Sequence, residues 1–273
     1  MIARVLIYLL LFTTLTIITQ IGGIVLLLTL FFYPAINRKW LKKRIRFAIK
    51  SGVFILLYLA TCLWIVPWLA PAFGRKALPK SGLLAPRSHI TWLLNRHYVN
   101  HTLFDVLEST AIKMNSTYPE TQLLYLDANF PFFDGFPLLP HLSHDDGKKV
   151  DLAFFYKDKS THMQTNTSPS FLGYGAYVAP LNGELDQPEL CKKQGYWQYD
   201  LADYLTLGMI DNSLAVDNQR TKTLLTILAQ NSKISKIFIE PHLVSRWRLR
   251  RYPKIRYHGC HAVRHDDHIH LQI

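Results

Sequence analysis

No aspartate or glutamate occurs in the first 74 residues, and no histidine occurs before residue 89. The chain has three cysteines and no Cys-x-x-Cys pair, so a cysteine-based zinc site has no support. It also lacks a His-Glu-x-x-His motif, an internal repeat and any low-complexity tract. Two long runs lack charge altogether, residues 5–36 and residues 51–73. Each exceeds the ~20 apolar residues that a helix needs to cross a hydrocarbon core. A cleaved signal peptide describes the first run poorly. Its apolar part would be about 7–15 residues long, with a small-residue cleavage site behind it. Here RKWLKKRIR follows instead. A buried core helix fits no better, given two such runs rich in Leu, Ile and Phe.

The formal net charge of +12 is placed unevenly. Residues 1–74 carry eight basic side chains: Arg4, Arg38, Lys39, Lys42, Lys43, Arg44, Arg46 and Lys50. The remainder holds 23 basic against 19 acidic residues. Most of the excess charge thus lies beside hydrophobic segments, which argues for a membrane and against nucleic acid as the partner. Seven of the eight basic residues fall in the loop 37–50, and the positive-inside rule puts that loop in the cytoplasm. The expectation is a two-span hairpin over residues 1–74, contacting the bilayer through 5–36 and 51–73. Both termini would then lie on the far side, with the C-terminal domain in the periplasm of a bacterial inner membrane. Residues 75–87, punctuated by Gly, Pro, Ser and Lys, read as a linker. The folded domain is expected over 88–273.

Within that domain the pattern is α+β. Residues 90–113 have helical spacing, as one helix or two. TQLLYL (121–126) reads as a short strand, and 127–147 as a Pro- and Gly-punctuated loop. VDLAFFY (150–156) reads as a buried strand, and GYGAYVAP (173–180) as a possible short one. Residues 217–231 fit an amphipathic helix, and 234–240 and the closing HIHLQI fit strands.

Two pieces of sequence carry chemistry. One is Ser143-His144-Asp145-Asp146-Gly147-Lys148-Lys149-Val150-Asp151-Leu152; the other is His265-Asp266-Asp267-His268-Ile269-His270. On a strand, side chains alternate, so His268 and His270 share a face. A turn before Asp151 can bring His144 and Asp151 together. Two imidazoles and a carboxylate suit Zn²⁺, and three protein ligands leave a position for water. The spacing by itself is equally compatible with scattered surface histidines. Cys191 and Cys260 either pair, if the domain lies outside the cytoplasm, or remain two free thiols.

In this order the two motifs resemble the penicillin-insensitive murein endopeptidases, within the wider zinc D-Ala-D-Ala metallopeptidase group that shares its fold with the Hedgehog signalling domain. The similarity covers roughly residues 120–270, and 217–270 most closely. The resemblance implies a Hedgehog/DD-peptidase-like zinc domain whose partners are peptidoglycan peptides. It implies Zn²⁺ held by His144, Asp151 and His270. It further implies a general base at His268, an additional active-site histidine at His265 and a turn glycine at Gly147. The activity implied is hydrolysis of peptide bonds in cell-wall cross-links. A non-catalytic, zinc-containing cell-wall-binding protein of the same fold is the alternative. The chain departs from the family in two ways. Murein endopeptidases are as a rule soluble, and the Gly- and Arg-rich run before their first motif is replaced here by DANFPFFDGFPLLPHL.

Overall fold

The computed structural model describes residues 2–40 and 42–273, and its fold is mixed α+β. The N-terminal part is helical. Two of its helices, Ile2–Thr19 and Lys43–Phe73, are long and apolar enough to cross a membrane. Trp64 and Trp68, near the end of the second, are exposed.

The charge-free run 5–36 does not form a single span. It breaks at Gln20, whose φ is +66°, and returns as the helices Gly22–Leu30 and Tyr33–Lys39. Gly22 and Gly23 permit the fold-back. A Cβ on Gly23 would stand 2.1 Å from the Thr16 hydroxyl and 2.8 Å from the Phe12 ring. The two candidate spans stand, but the first is shortened to Ile2–Thr19, and the rest of the charge-free run folds back against it as shorter helices. Arg4 consequently lies at the basic end, lining one cleft with Asn37, Lys43, Arg46 and Lys50. Arg4 is beside the basic loop, not across from it. Gln20, at the opposite end, accepts a hydrogen bond from the Phe132 amide at 3.0 Å.

No linker separates these helices from the domain. Residues 75–87 belong to the fold: Lys76–Ala77 pairs with Tyr98–Val99, and Leu84–Pro86 forms the edge of the main sheet. Arg75 and Leu78 are buried. Such short strands show no sequence period, and their Gly and Pro residues turn the chain between them. Tyr98 packs into a cluster with Ile21, Val25, Tyr58, Cys62 and Val66, so the helices and the domain share one apolar contact.

The main sheet has six strands. From one edge they are Ile255–Arg256, Lys236–Phe238, His268–Gln272, Lys149–Ala153, Leu123–Tyr125 and Leu84–Pro86. The helices His101–Thr117 and Asn218–Gln230 cover one face. Leu107, Met114, Leu224 and Leu228 meet Val150, Leu152, Ile269 and Leu271 there. Both helices are capped from the sequence, by the Asn100 side chain on the Leu103 amide and by Asp217 on the Arg220 amide. The other face is covered by the loops 126–148 and 170–210. GYGAYVAP lies in the latter and is irregular, not a strand.

Cys191 and Cys260 form a disulfide, with Cα atoms 5.3 Å apart across 69 residues. Cys62 is free and buried.

Two outcomes follow. Alkylation of the denatured, unreduced chain should modify one cysteine, and Cys191→Ser should lower unfolding stability by roughly 4 kcal/mol, the loop-entropy value for a bridge of this span. In a Cys62→Ser background, cysteines introduced as Arg4→Cys and Lys43→Cys should be labelled from the same membrane face. Asp134→Cys should be labelled from the other.

Candidate metal centre

The register between two central strands sets the site. His268–Gln272 runs antiparallel to Lys149–Ala153 with His270 directly opposite Asp151. Alternation sends Ile269, Leu271, Val150 and Leu152 into the core. It leaves Asp151, His268 and His270 together on the loop-covered face, all buried.

His144 arrives from the loop before the Asp151 strand. A turn bonds its amide to the His141 carbonyl at 2.9 Å. Its Nδ1 donates to the Ala128 carbonyl at 2.7 Å. A carbonyl only accepts, so the proton sits on Nδ1 and the Nε2 lone pair faces the site. Gly147 closes this loop at φ +76°, and a Cβ there would stand 2.6 Å from the Arg75 guanidinium. Only glycine fits both constraints.

Three atoms then converge. His144 Nε2 lies 3.0 Å from His270 Nδ1 and 3.3 Å from Asp151 Oδ1, and the last two are 2.9 Å apart. Ligands about 2.0–2.1 Å from a tetrahedral ion stand about 3.3 Å from one another. The three side chains expected from the sequence are thus brought together at a spacing a small cation fits.

His141 also enters the site, and the sequence reading missed it. His141, His144 and Asp151 offer ligand atoms all within 4.8 Å of one another, a group able to hold a metal ion. His141 Nδ1 is 3.0 Å from Asp151 Oδ2 and 3.5 Å from Asp127 Oδ2. The Tyr174 hydroxyl donates to the same Asp151 Oδ2 at 2.8 Å. These two contacts hold one carboxylate oxygen and turn the other toward His144 and His270. The available signal was His141-Leu142-Ser143-His144, a second histidine three residues before the motif.

His268 and His265 stand beside the trio. Asp267 Oδ1 holds His268 Nδ1 at 2.5 Å, and the Gly175 amide donates to Asp267 Oδ2 at 2.5 Å. With Nδ1 so engaged, His268 Nε2 is the free nitrogen. It lies 3.9 Å from Asp151 Oδ1 and, among the described residues, has no hydrogen-bond partner. Nothing in the sequence distinguished Asp267 from Asp266. The structure separates them, since Asp266 instead takes two bonds from Arg264, at 2.7 and 2.6 Å. The His265 ring centroid is 4.9 Å from that of His268. Its amide donates to the buried Glu240 at 3.1 Å, so Glu240 positions backbone and is not an ion-pair partner of this histidine.

The electrostatics centre on Asp151. Burial alone would push its carboxyl up, but His144, His141 and His268 more than reverse this, and it stays well below the usual carboxylate range. Burial opposes charge on His268 too, yet Asp267 and Asp151 outweigh it and lift the ring to about 9. His270 falls to about 4, because burial exceeds the pull of Asp151. Burial, with His268 and His270 nearby, holds His265 well below its ordinary value. Burial would also lower His144, but Asp151 reverses it and the ring rises. His144 and His270 move in opposite directions although both touch Asp151. The direction that stands is that this carboxylate favours positive charge in the cluster, and a cation can take a proton's place.

The centre opens into a cleft of about 400 Å³ lined by seven of the 12 histidines, together with Gln198 and Leu201 from the segment that the disulfide ties down. No protein-family profile matches the chain, and no curated protein sequence matches it.

His144→Ala and His270→Ala should each abolish stoichiometric metal binding, read by elemental analysis of the pure protein. Tyr174→Phe should weaken metal affinity by about 10- to 100-fold in competition with a chromogenic chelator, the usual effect of removing a bond that orients a ligand.

Proposed function

We propose that this chain is a membrane-anchored zinc hydrolase of the Hedgehog/DD-peptidase fold group that cleaves peptide bonds outside the cytoplasm. Peptidoglycan cross-link peptides are its substrate class. The observation that carries the reading is the convergence of His144 Nε2, Asp151 Oδ1 and His270 Nδ1, with an oriented, unpartnered His268 nitrogen beside them. Two imidazoles and one carboxylate are a donor set that Zn²⁺ accepts. When bound, the ion supplies a Lewis acid that makes water nucleophilic near neutral pH and polarises a carbonyl.

The protein's own groups do the rest. Asp267 fixes the His268 ring so that Nε2 points into the cleft. A cation held beside Asp151 would offset that carboxylate's pull on the ring, and the ring, once neutral, could take a proton from attacking water and return it to the leaving amine. His265, kept neutral by burial and by its histidine neighbours, offers a hydrogen bond without adding a charge. Tyr174 and His141 hold Asp151 in place. The extracytoplasmic placement is supported by the basic residues gathered at one end of the helices and by the Cys191–Cys260 disulfide on the domain.

The test uses the full chain in detergent with cross-linked muropeptides, with and without a chelator. Metal-dependent loss of cross-linked dimers is the expected result. His268→Ala should keep its metal and lose about 10²- to 10⁴-fold in rate. Metal-loaded protein that leaves every muropeptide intact would instead assign it a binding role on the cell wall.

A further inference from the structure

A second cavity adjoins the metal cleft. Its volume is about 290 Å³, and it shares His141, His268, Leu201 and Val263 with the cleft. The surface it exposes is mostly apolar, from Ile90, Leu94, Leu139, Leu172 and Ala202, with ionised and tyrosine side chains also in the wall. The charges at its rim are already paired within the protein. Arg96 donates to Asp127 at 3.0 Å and to the Leu139 carbonyl at 2.6 Å. Arg264 is bonded to Asp266 and, at 3.0 Å, to Asp200, while Asp267 is held by His268 and the Gly175 amide. A charged group entering here would lose hydration and meet charges already committed to one another, apart from the His268 edge that the cavity shares with the metal cleft. An apolar group would gain by leaving water.

The cavity is also braced. One wall is the short helix His89–Leu93, started by the Ser88 cap. The Leu93 carbonyl accepts from the Tyr58 hydroxyl at 2.7 Å, and the Asn95 amide donates to the same hydroxyl at 3.4 Å. The membrane helix therefore supports the wall directly. Pockets for whole ligands run about 300–1,000 Å³. At about 290 Å³ this one suits a single large side chain attached to a ligand lying in the neighbouring cleft.

We infer that this cavity is a specificity subsite for a bulky aliphatic or aromatic side chain of the substrate, next to the bond cleaved at the metal centre. The inference rests on the hydrolase reading above. It narrows the peptide substrates of that reading to those with a large apolar residue beside the scissile bond.

The experiment measures binding by calorimetry on the metal-loaded full chain in lipid nanodiscs. The probes are acetohydroxamate, which has no side chain, and the hydroxamates of N-acetyl leucine and N-acetyl phenylalanine. The expected result is about 10- to 100-fold tighter binding of the two larger probes, the range for burying one such side chain. That ratio should fall close to one in Ala202→Trp and in Leu94→Trp, which fill the cavity from opposite walls, with metal content measured in each. Equal affinities in the parent chain, or a ratio that survives in both filled variants, would overturn the subsite while leaving the hydrolase reading in place. No binding of any hydroxamate to metal-loaded protein would remove both.

Discussion

His268–Gln272 and Lys149–Ala153 run antiparallel with His270 opposite Asp151, and the rest of the site depends on that register. A slip of one residue would turn His268 and His270 into the hydrophobic core and expose Ile269 and Leu271 to the cleft. The packing of Ile269 and Leu271 against the two covering helices therefore protects the register as well as the core. Burial and charge act together on the other face. Asp151 is deeply buried, and it stays ionised because imidazoles, and the cation that can replace their proton, surround it. Removing one histidine would leave a buried charge short of a partner, a loss felt beyond the single contact.

The helical part follows a similar constraint. Residues 1–74 have no acidic side chain to neutralise Arg4, Lys43, Arg46 or Lys50, yet the fold brings these four around one cleft. The fold-back at Gln20 is what carries Arg4 to the other three. A simple two-run hairpin would have left Arg4 on the opposite side.

Much of the centre was legible because it follows a period. Alternating Val150-Asp151-Leu152 and His268-Ile269-His270 announce strands, and their polar positions share the face on which the site forms. The helix Asn218–Gln230 was visible from its apolar spacing. What escaped notice depends on contacts distant in sequence. His141 matters because the loop folds it onto Asp151, and Asp267 because its carboxylate reaches His268 and Gly175. The break at Gln20 was marked only by one amide and two glycines within an otherwise uniform apolar run. The disulfide could not be chosen from composition, since pairing requires proximity that only the fold supplies. Residues 75–87 were misjudged because strands of two or three residues leave no pattern to read.

Tyr98 sits among membrane-helix side chains, and Tyr58 braces the wall of the apolar cavity. The histidine-lined cleft is therefore not a head swinging on a tether. With its helices in a bilayer, its working height above the lipid is set by side-chain packing, and its sampling volume is a thin layer parallel to the surface. Any ligand of the cleft must then come to that layer, so membrane thickness would govern what it meets, independent of any residue in the cleft.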